Sequence, residues 1–145
     1  MKILQAAAAD APRVAVLAAK MWTSHTAAEL SEEFETLMAD GQGAVFLCCT
    51  DGKAIGFAQC QLRQDYVEGT ETSPVGYLEG IFVEEAYRHR GCAKMLLAEC
   101  EQWARARGCR EFASDCELEN SQSLAFHLQM GFREVNRIIC FTKKL

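Results

Sequence analysis

A chain of 145 residues that is 50% hydrophobic and 24% charged has the size and make-up of one soluble domain with its own core, over 1–145. A net charge of −5 is the wrong sign for a general nucleic-acid binder, so no nucleic-acid partner is expected and any local basic cluster stands out. No run approaches the roughly 20 apolar residues of a membrane span, and Asp10 and Arg13 interrupt a signal-peptide layout, so a cytoplasmic protein without a membrane partner is expected.

Asp10 is placed to cap a helix running through Pro12 into "RVAVLAAKMW", where Val14, Leu17 and Met21 recur at helical spacing and Trp22 marks the end. "TSHTAAELSEEFETLMADG" predicts a second helix. Cap-type residues open it, Leu30, Phe34, Leu37 and Met38 share a face, and Gly41 closes it. The runs "AVFLCCT" and "AIGFAQCQLRQDY" flank Asp51-Gly52 and predict an antiparallel hairpin. After the irregular "YVEGTETSP", the stretch "VGYLEGIFVEE" resumes as a strand. A carboxylate and a glycine inside it, Glu79-Gly80, predict a bulge or a close backbone approach. "AKMLLAECEQWARARG" follows as a helix with Leu96, Cys100 and Trp103 in step and Gly108 as its stop. "EFASDC" reads as a strand, "NSQSLAFHLQMG" as a helix from Asn120 to Gly131, "RIICFTKK" as a last strand and "KILQA" as a short first one. This order predicts a mixed α/β sandwich rather than a doubly wound fold.

The eight cysteines form no CxxC pair and lie within apolar or periodic segments, the placement of buried free thiols. The clustered Cys and His ligands of a zinc site are missing, since His25, His89 and His127 are widely spaced, and no metal is expected.

"YRHRGCAK", residues 87–94, sits between an apolar strand and a helix. The first N–H groups of that helix lack intrahelical acceptors, and Gly91 lets the backbone approach a phosphate while Ala93 keeps the approach clear. It is neither GxxxxGK nor GxGxxG. A solvated, charged helix start is the plainer reading of the same residues.

The segments "VGYLEGIFVEEAYRHRGCAKMLL" and "ENSQSLAFHLQMGF" together resemble the acyl-CoA-binding motifs of the GNAT N-acetyltransferases. Arg88, Gly91 and Ala93 match the form Arg/Gln-x-x-Gly-x-Gly/Ala. The resemblance implies an acyl-CoA N-acyltransferase fold, a central and mostly antiparallel sheet flanked by helices, with acetyl-CoA as cosubstrate. It further implies that the backbone of Ile81, Phe82 and Val83 bonds the pantetheine arm, and that the loop Arg88, His89, Arg90, Gly91, Cys92, Ala93 holds the pyrophosphate. Asn120 would contact the cofactor from the other side. Four residues before Gly131, where many members carry a tyrosine thought to protonate the leaving thiolate, this chain has His127; an imidazole can donate near neutral pH.

"KMW", "SHT", "DYVEGTETSPVGYLEGIFV" and "CREFASD" are similar to the aminoglycoside 6'-N-acetyltransferases, a resistance branch of the same superfamily. This resemblance implies substrate contacts at Trp22, His25, Tyr66, Glu79 and Asp115, another at Asn136, and a homodimer. The chemistry agrees, because a hydroxyl-rich polycation calls for carboxylates and flat aromatic surfaces. Direct attack of a neutral amine on the thioester is expected, with Glu79 as base through water and backbone N–H groups near Phe82 and Val83 facing the carbonyl oxygen. Plainer roles stand beside these: core packing for Trp22, a stabilised bulge for Glu79, capping for Asp115 and His25, a loop or subunit contact for Tyr66, and packing beside Phe126 for His127.

Overall fold

Strand β2 (Gly43–Thr50) shows how the chain is layered in the computed structural model, which describes residues 1–145. Its side chains alternate faces with period two. Ala44, Phe46 and Cys48 join one apolar cluster and Val45, Leu47 and Cys49 another, so the middle of the sheet is covered on both sides. The first cluster lies under α3 (Cys92–Ala106), which contributes Leu96, Leu97, Cys100 and Trp103. The second lies under α1 (Ala11–Ala18) and α2 (Ala27–Asp40), with Phe57 reaching Trp22 and Phe34 at ring-centroid distances of 6.1 Å each. Burying such a side chain is worth about 1.5–3 kcal/mol, so this two-sided packing supplies most of the drive that orders the sheet.

The local signals act as their chemistry dictates. Thr26 caps α2 by accepting the Glu29 N–H at 3.2 Å, and Gly41 ends it in the left-handed region at φ 72°. Asp51 and Gly52 both carry positive φ, 49° and 78°, and turn β2 into β3 (Lys53–Arg63). With β1 (Lys2–Gln5), β4 (Val75–Val83) and β5 (Phe112–Ser114), the order across the sheet is β1-β2-β3-β4-β5. Every neighbouring pair is antiparallel except β4 with β5.

That last pair creates the fork on which the function depends. β4 has nine residues, but only Gly76, Tyr77 and Leu78 face β5, opposite Phe112, Ala113 and Ser114. Beyond Leu78 and Ser114 the two strands part, leaving one backbone edge of residues 79–83 without a β5 partner. α4 (Ser121–Gln129) follows β5.

One expected element is absent. "RIICFTKK" is not a strand, because it meets no strand of this chain to pair with. Residues 133–145 run outward instead, with Ile138, Ile139 and Phe141 being 72%, 81% and 87% exposed. An extended segment satisfies its backbone only through a neighbour, and β5 remains a sheet edge.

Candidate active site

The bulge foreseen at Glu79-Gly80 is present. Gln59 pairs with Gly80 and Cys60 with Leu78, so Glu79 is the extra, unpaired residue. Glycine is needed beside it for a close approach, since a Cβ on Gly80 would stand 2.6 Å from the Trp22 ring and 2.9 Å from the Met21 methyl. The absence of that Cβ seats the indole, arriving from the segment after α1, directly against the bulge. The bulge and the close approach are thus one feature, which sets an aromatic plane against the bulge that carries Glu79.

Glu79 is already paired. Arg63 Nη2 at the end of β3 donates to its Oε1 at 2.6 Å and to its Oε2 at 2.9 Å. The Arg63 guanidinium lies 3.5 Å over the Tyr77 ring centroid, and the Tyr77 hydroxyl donates to Asp115. A chain of Arg63, Glu79, Tyr77 and Asp115 thereby links β3, β4 and the end of β5 at the vertex of the fork. Burial pushes the Glu79 carboxyl above its ordinary pKa, Arg63 pulls it down, and Asp115 adds to the rise. The Tyr77 phenol is pushed upward too, first by burial and then by Asp115, so it stays a neutral donor.

Toward the far end of β4 the chemistry belongs to the backbone. Glu84 N–H donates to Ile55 O, and alternation along an antiparallel ladder then commits the Phe82 N–H and C=O to β3 as well. Ile81 and Val83 turn theirs toward the open fork. Phe82 therefore cannot offer its backbone to a cofactor or an oxyanion, contrary to the sequence expectation; its ring packs into the cluster with α1 and α2. Arg88 Nε donates to Val83 O at 2.8 Å and ties the following loop to the strand end.

That loop has two left-handed residues, His89 at φ 62° and Gly91 at φ 85°, the alternation that makes a concave nest of N–H groups. Gly91 caps α3 without a side-chain bond, and the N–H groups of Cys92, Ala93 and Lys94 find no acceptor in the chain. Nothing lies within 4 Å of where a Cβ on Gly91 would point. An open, donor-lined helix start with exposed His89 and Arg90 fits a pyrophosphate. Cys92 can take part through its N–H alone, since its thiol is buried toward Cys48 and held protonated by that burial. All eight cysteines are free thiols, with Cys116 and Cys140 exposed.

Both ring nitrogens of His127 are engaged. Nδ1 lies 2.7 Å from Ser123 O, an atom that only accepts, so Nδ1 carries the proton; Nε2 lies 2.7 Å from Ser114 Oγ. His127 reaches the vertex of the fork only through Ser114, the last residue of β5. Sequence reasoning missed Arg63, Tyr77 and Ser114. The only trace of them was an arginine, a tyrosine and a serine at strand ends.

The remaining candidates lie apart from this cluster. His25 is exposed with Nδ1 3.5 Å from Glu29, and Tyr66 is 77% exposed in the loop after β3. Asn120 caps α4, its Oδ1 accepting the Ser123 N–H at 3.0 Å, which leaves its amide nitrogen for a ligand. Asn136 donates to Glu68 at 3.2 Å and anchors the start of the C-terminal arm.

A sheet forked between a parallel strand pair, with an unpaired helix start beyond one end of the fork and carboxylates at the other, is the framework of an acyl-CoA N-acyltransferase. The family model described as the Acetyltransferase (GNAT) family matches residues 11–132, and the chain belongs to that family. It is 44% identical to an aminoglycoside N(6')-acetyltransferase type 1 of Stenotrophomonas maltophilia over 99% of this chain and 93% of the relative. It is likewise 44% identical to the enzyme of that name from Salmonella typhimurium, with 86% of each covered. Among solved structures it resembles AAC(6')-Iy in complex with the bisubstrate analog CoA-S-monomethyl-acetylneamine, with a TM-score of 0.94, 38% identity, and 99% of this chain and 98% of the other covered. The apo AAC(6')-IG of Acinetobacter haemolyticus gives a TM-score of 0.93 at 40% identity, covering 100% and 99%.

Proposed function

We propose that this protein transfers the acetyl group of acetyl-CoA to the 6' amine of aminoglycoside antibiotics. The observation that carries the reading is the continuity of β4. The strand runs from the Glu79-Gly80 bulge, seated against Trp22, through the open backbone edge at Ile81 and Val83, and the loop that follows it carries a nest of N–H groups at Gly91. An ammonium-rich sugar suits the first and an anionic nucleotide the last, and the resemblance to the named relatives supports the pairing.

Acetyl-CoA when bound supplies an activated thioester, and each step then falls to groups of the chain. Glu79 takes a proton from the substrate ammonium, directly or through water, because only the neutral amine attacks. Ile81 and Val83 N–H groups are positioned to stabilise the carbonyl oxygen as it gains charge, a role worth roughly 3–4 kcal/mol in favourable cases. Ser114 delivers a proton to the departing sulfur and draws one from His127 when the imidazole is doubly protonated. No acyl-enzyme is required.

We infer further that the active form is a homodimer in the cytoplasm. The exposed apolar arm 133–145 beside an open sheet edge supports the dimer, and six buried free thiols suit a reducing compartment. Sedimentation at micromolar concentration should give twice the chain mass, and a monomer would reject the dimer.

The deciding test of function is CoA release with kanamycin, spermidine and N-terminal peptides in parallel. Turnover is expected with kanamycin. Acetyl-CoA binding without drug turnover would sink the assignment.

A further inference from the structure

We propose that Arg63 is a built-in competitor of the amine site: a cation that holds the Glu79 carboxylate in the free enzyme and that an incoming ammonium must displace. The proposal rests on the amine-acetylating function argued above. Nη2 of Arg63 engages both oxygens of Glu79, at 2.6 and 2.9 Å, so the acceptor positions a substrate cation would use are taken. The guanidinium also covers the Tyr77 ring at 3.5 Å, the other surface on which a cation would be held. Arg63 therefore stands where the ligand chemistry belongs.

It is also the mobile partner of the pair. The Arg63 side chain is 39% exposed and leaves from the end of β3, whereas the Glu79 side chain is 16% exposed and fixed in the bulge. The carboxylate stays and the guanidinium can swing toward solvent. A site whose competent state is only partly populated binds more weakly by that fraction. For a monoamine the exchange replaces one cation with another and gains little. A polyamine sugar that also sets a second ammonium against Asp115 gains a contact that Arg63 does not supply. Arg63 thus sets one displacement cost for every cationic ligand, and the second contact at Asp115 lets a polyamine overcome it where a monoamine does not.

The charged and titratable groups around Glu79 are Arg63 from β3, Tyr77 from its own strand and Asp115 beyond β5, while Trp22 adds no charge. Of these only Arg63 draws the carboxyl downward.

Titration calorimetry with kanamycin and with glucosamine, a single-charge amino sugar, tests the idea on wild type, Arg63→Met and Arg63→Lys. Arg63→Met should bind kanamycin roughly five- to tenfold more tightly. It should tighten on glucosamine by the same factor, since both ligands displace the same guanidinium, with acetyl-CoA affinity unchanged. The acidic limb of its kcat/KM profile, which reports the free enzyme, should move to higher pH, since Glu79 then loses the neighbour that keeps it ionised. Arg63→Lys keeps a charge without the planar fork and should shift each quantity the same way by less; it carries the test alone if the Met variant does not fold. Unchanged or weaker kanamycin binding in a folded variant overturns the proposal. If wild type binds no kanamycin at all, it is the function that fails.

Discussion

The two ends of the open fork along β4 solve opposite recognition problems with different materials. At the Gly91 end an anion is met by backbone N–H groups, and six consecutive residues, Arg88 to Ala93, suffice. At the Glu79 end a cation is met by side chains, and residues 22, 63, 77, 79 and 115 bring them from four separate parts of the chain. A phosphate site can be built from local geometry because every residue carries an N–H, whereas a cation site needs carboxylates that only the fold can gather. Changes at one end should therefore leave ligand affinity at the other end largely intact.

The largest effect should follow removal of the carboxylate that both binds and reacts. Glu79→Gln keeps the shape of the bulge and removes the base, and loss of a positioned general base costs about 10²–10⁴ in rate. We expect that loss in kcat, with acetyl-CoA affinity preserved and the acidic limb of the pH profile abolished. A pure KM defect with an unaltered pH profile would make Glu79 a cation anchor only.

Gly91→Val attacks the other end. Forcing a branched residue to φ 85° costs about 1–2 kcal/mol in backbone strain, and the side chain would occupy the open space where an anion approaches. That strain lowers stability, while lost charge-assisted bonds of about 1.5–3 kcal/mol should make acetyl-CoA bind roughly 10- to 150-fold more weakly. Kanamycin affinity, measured separately by calorimetry, should hold. Equal losses for both ligands would mean that the two ends are not independent.

How much of this the sequence discloses follows the same division. The anion loop, the Asp51-Gly52 hairpin and the bulge were legible because each depends on neighbours in the chain. Arg63 was not. In "QLRQDY" it looks like any solvated strand-end cation, and its partner sixteen positions away is fixed only once β3 and β4 pair across the bulge. Phe82 was misassigned for a related reason, since which strand residues face the fork is set by the hydrogen-bond parity of the ladder, not by hydrophobic pattern. The last strand failed because "RIICFTKK" has the composition of a strand but no partner within its own chain.

The smallest expected effect is the most discriminating. Asp115 is exposed and shares its carboxylate with the Tyr77 hydroxyl, so solvent weakens any bond it makes to a substrate ammonium. Asp115→Asn should raise KM for kanamycin roughly tenfold, about 1.4 kcal/mol, the low end for a charge-assisted hydrogen bond. Its influence on Glu79 has a definite sign as well. Asp115 raises the Glu79 pKa, so neutralising it should move the acidic limb of kcat/KM to lower pH, opposite to the shift expected for Arg63→Met. Opposite shifts from the two variants would place the titrating group within reach of both Arg63 and Asp115, as Glu79 is. A limb that moves the same direction in both variants would assign the titration to another group, and the proton abstraction would have to be sought elsewhere along the fork.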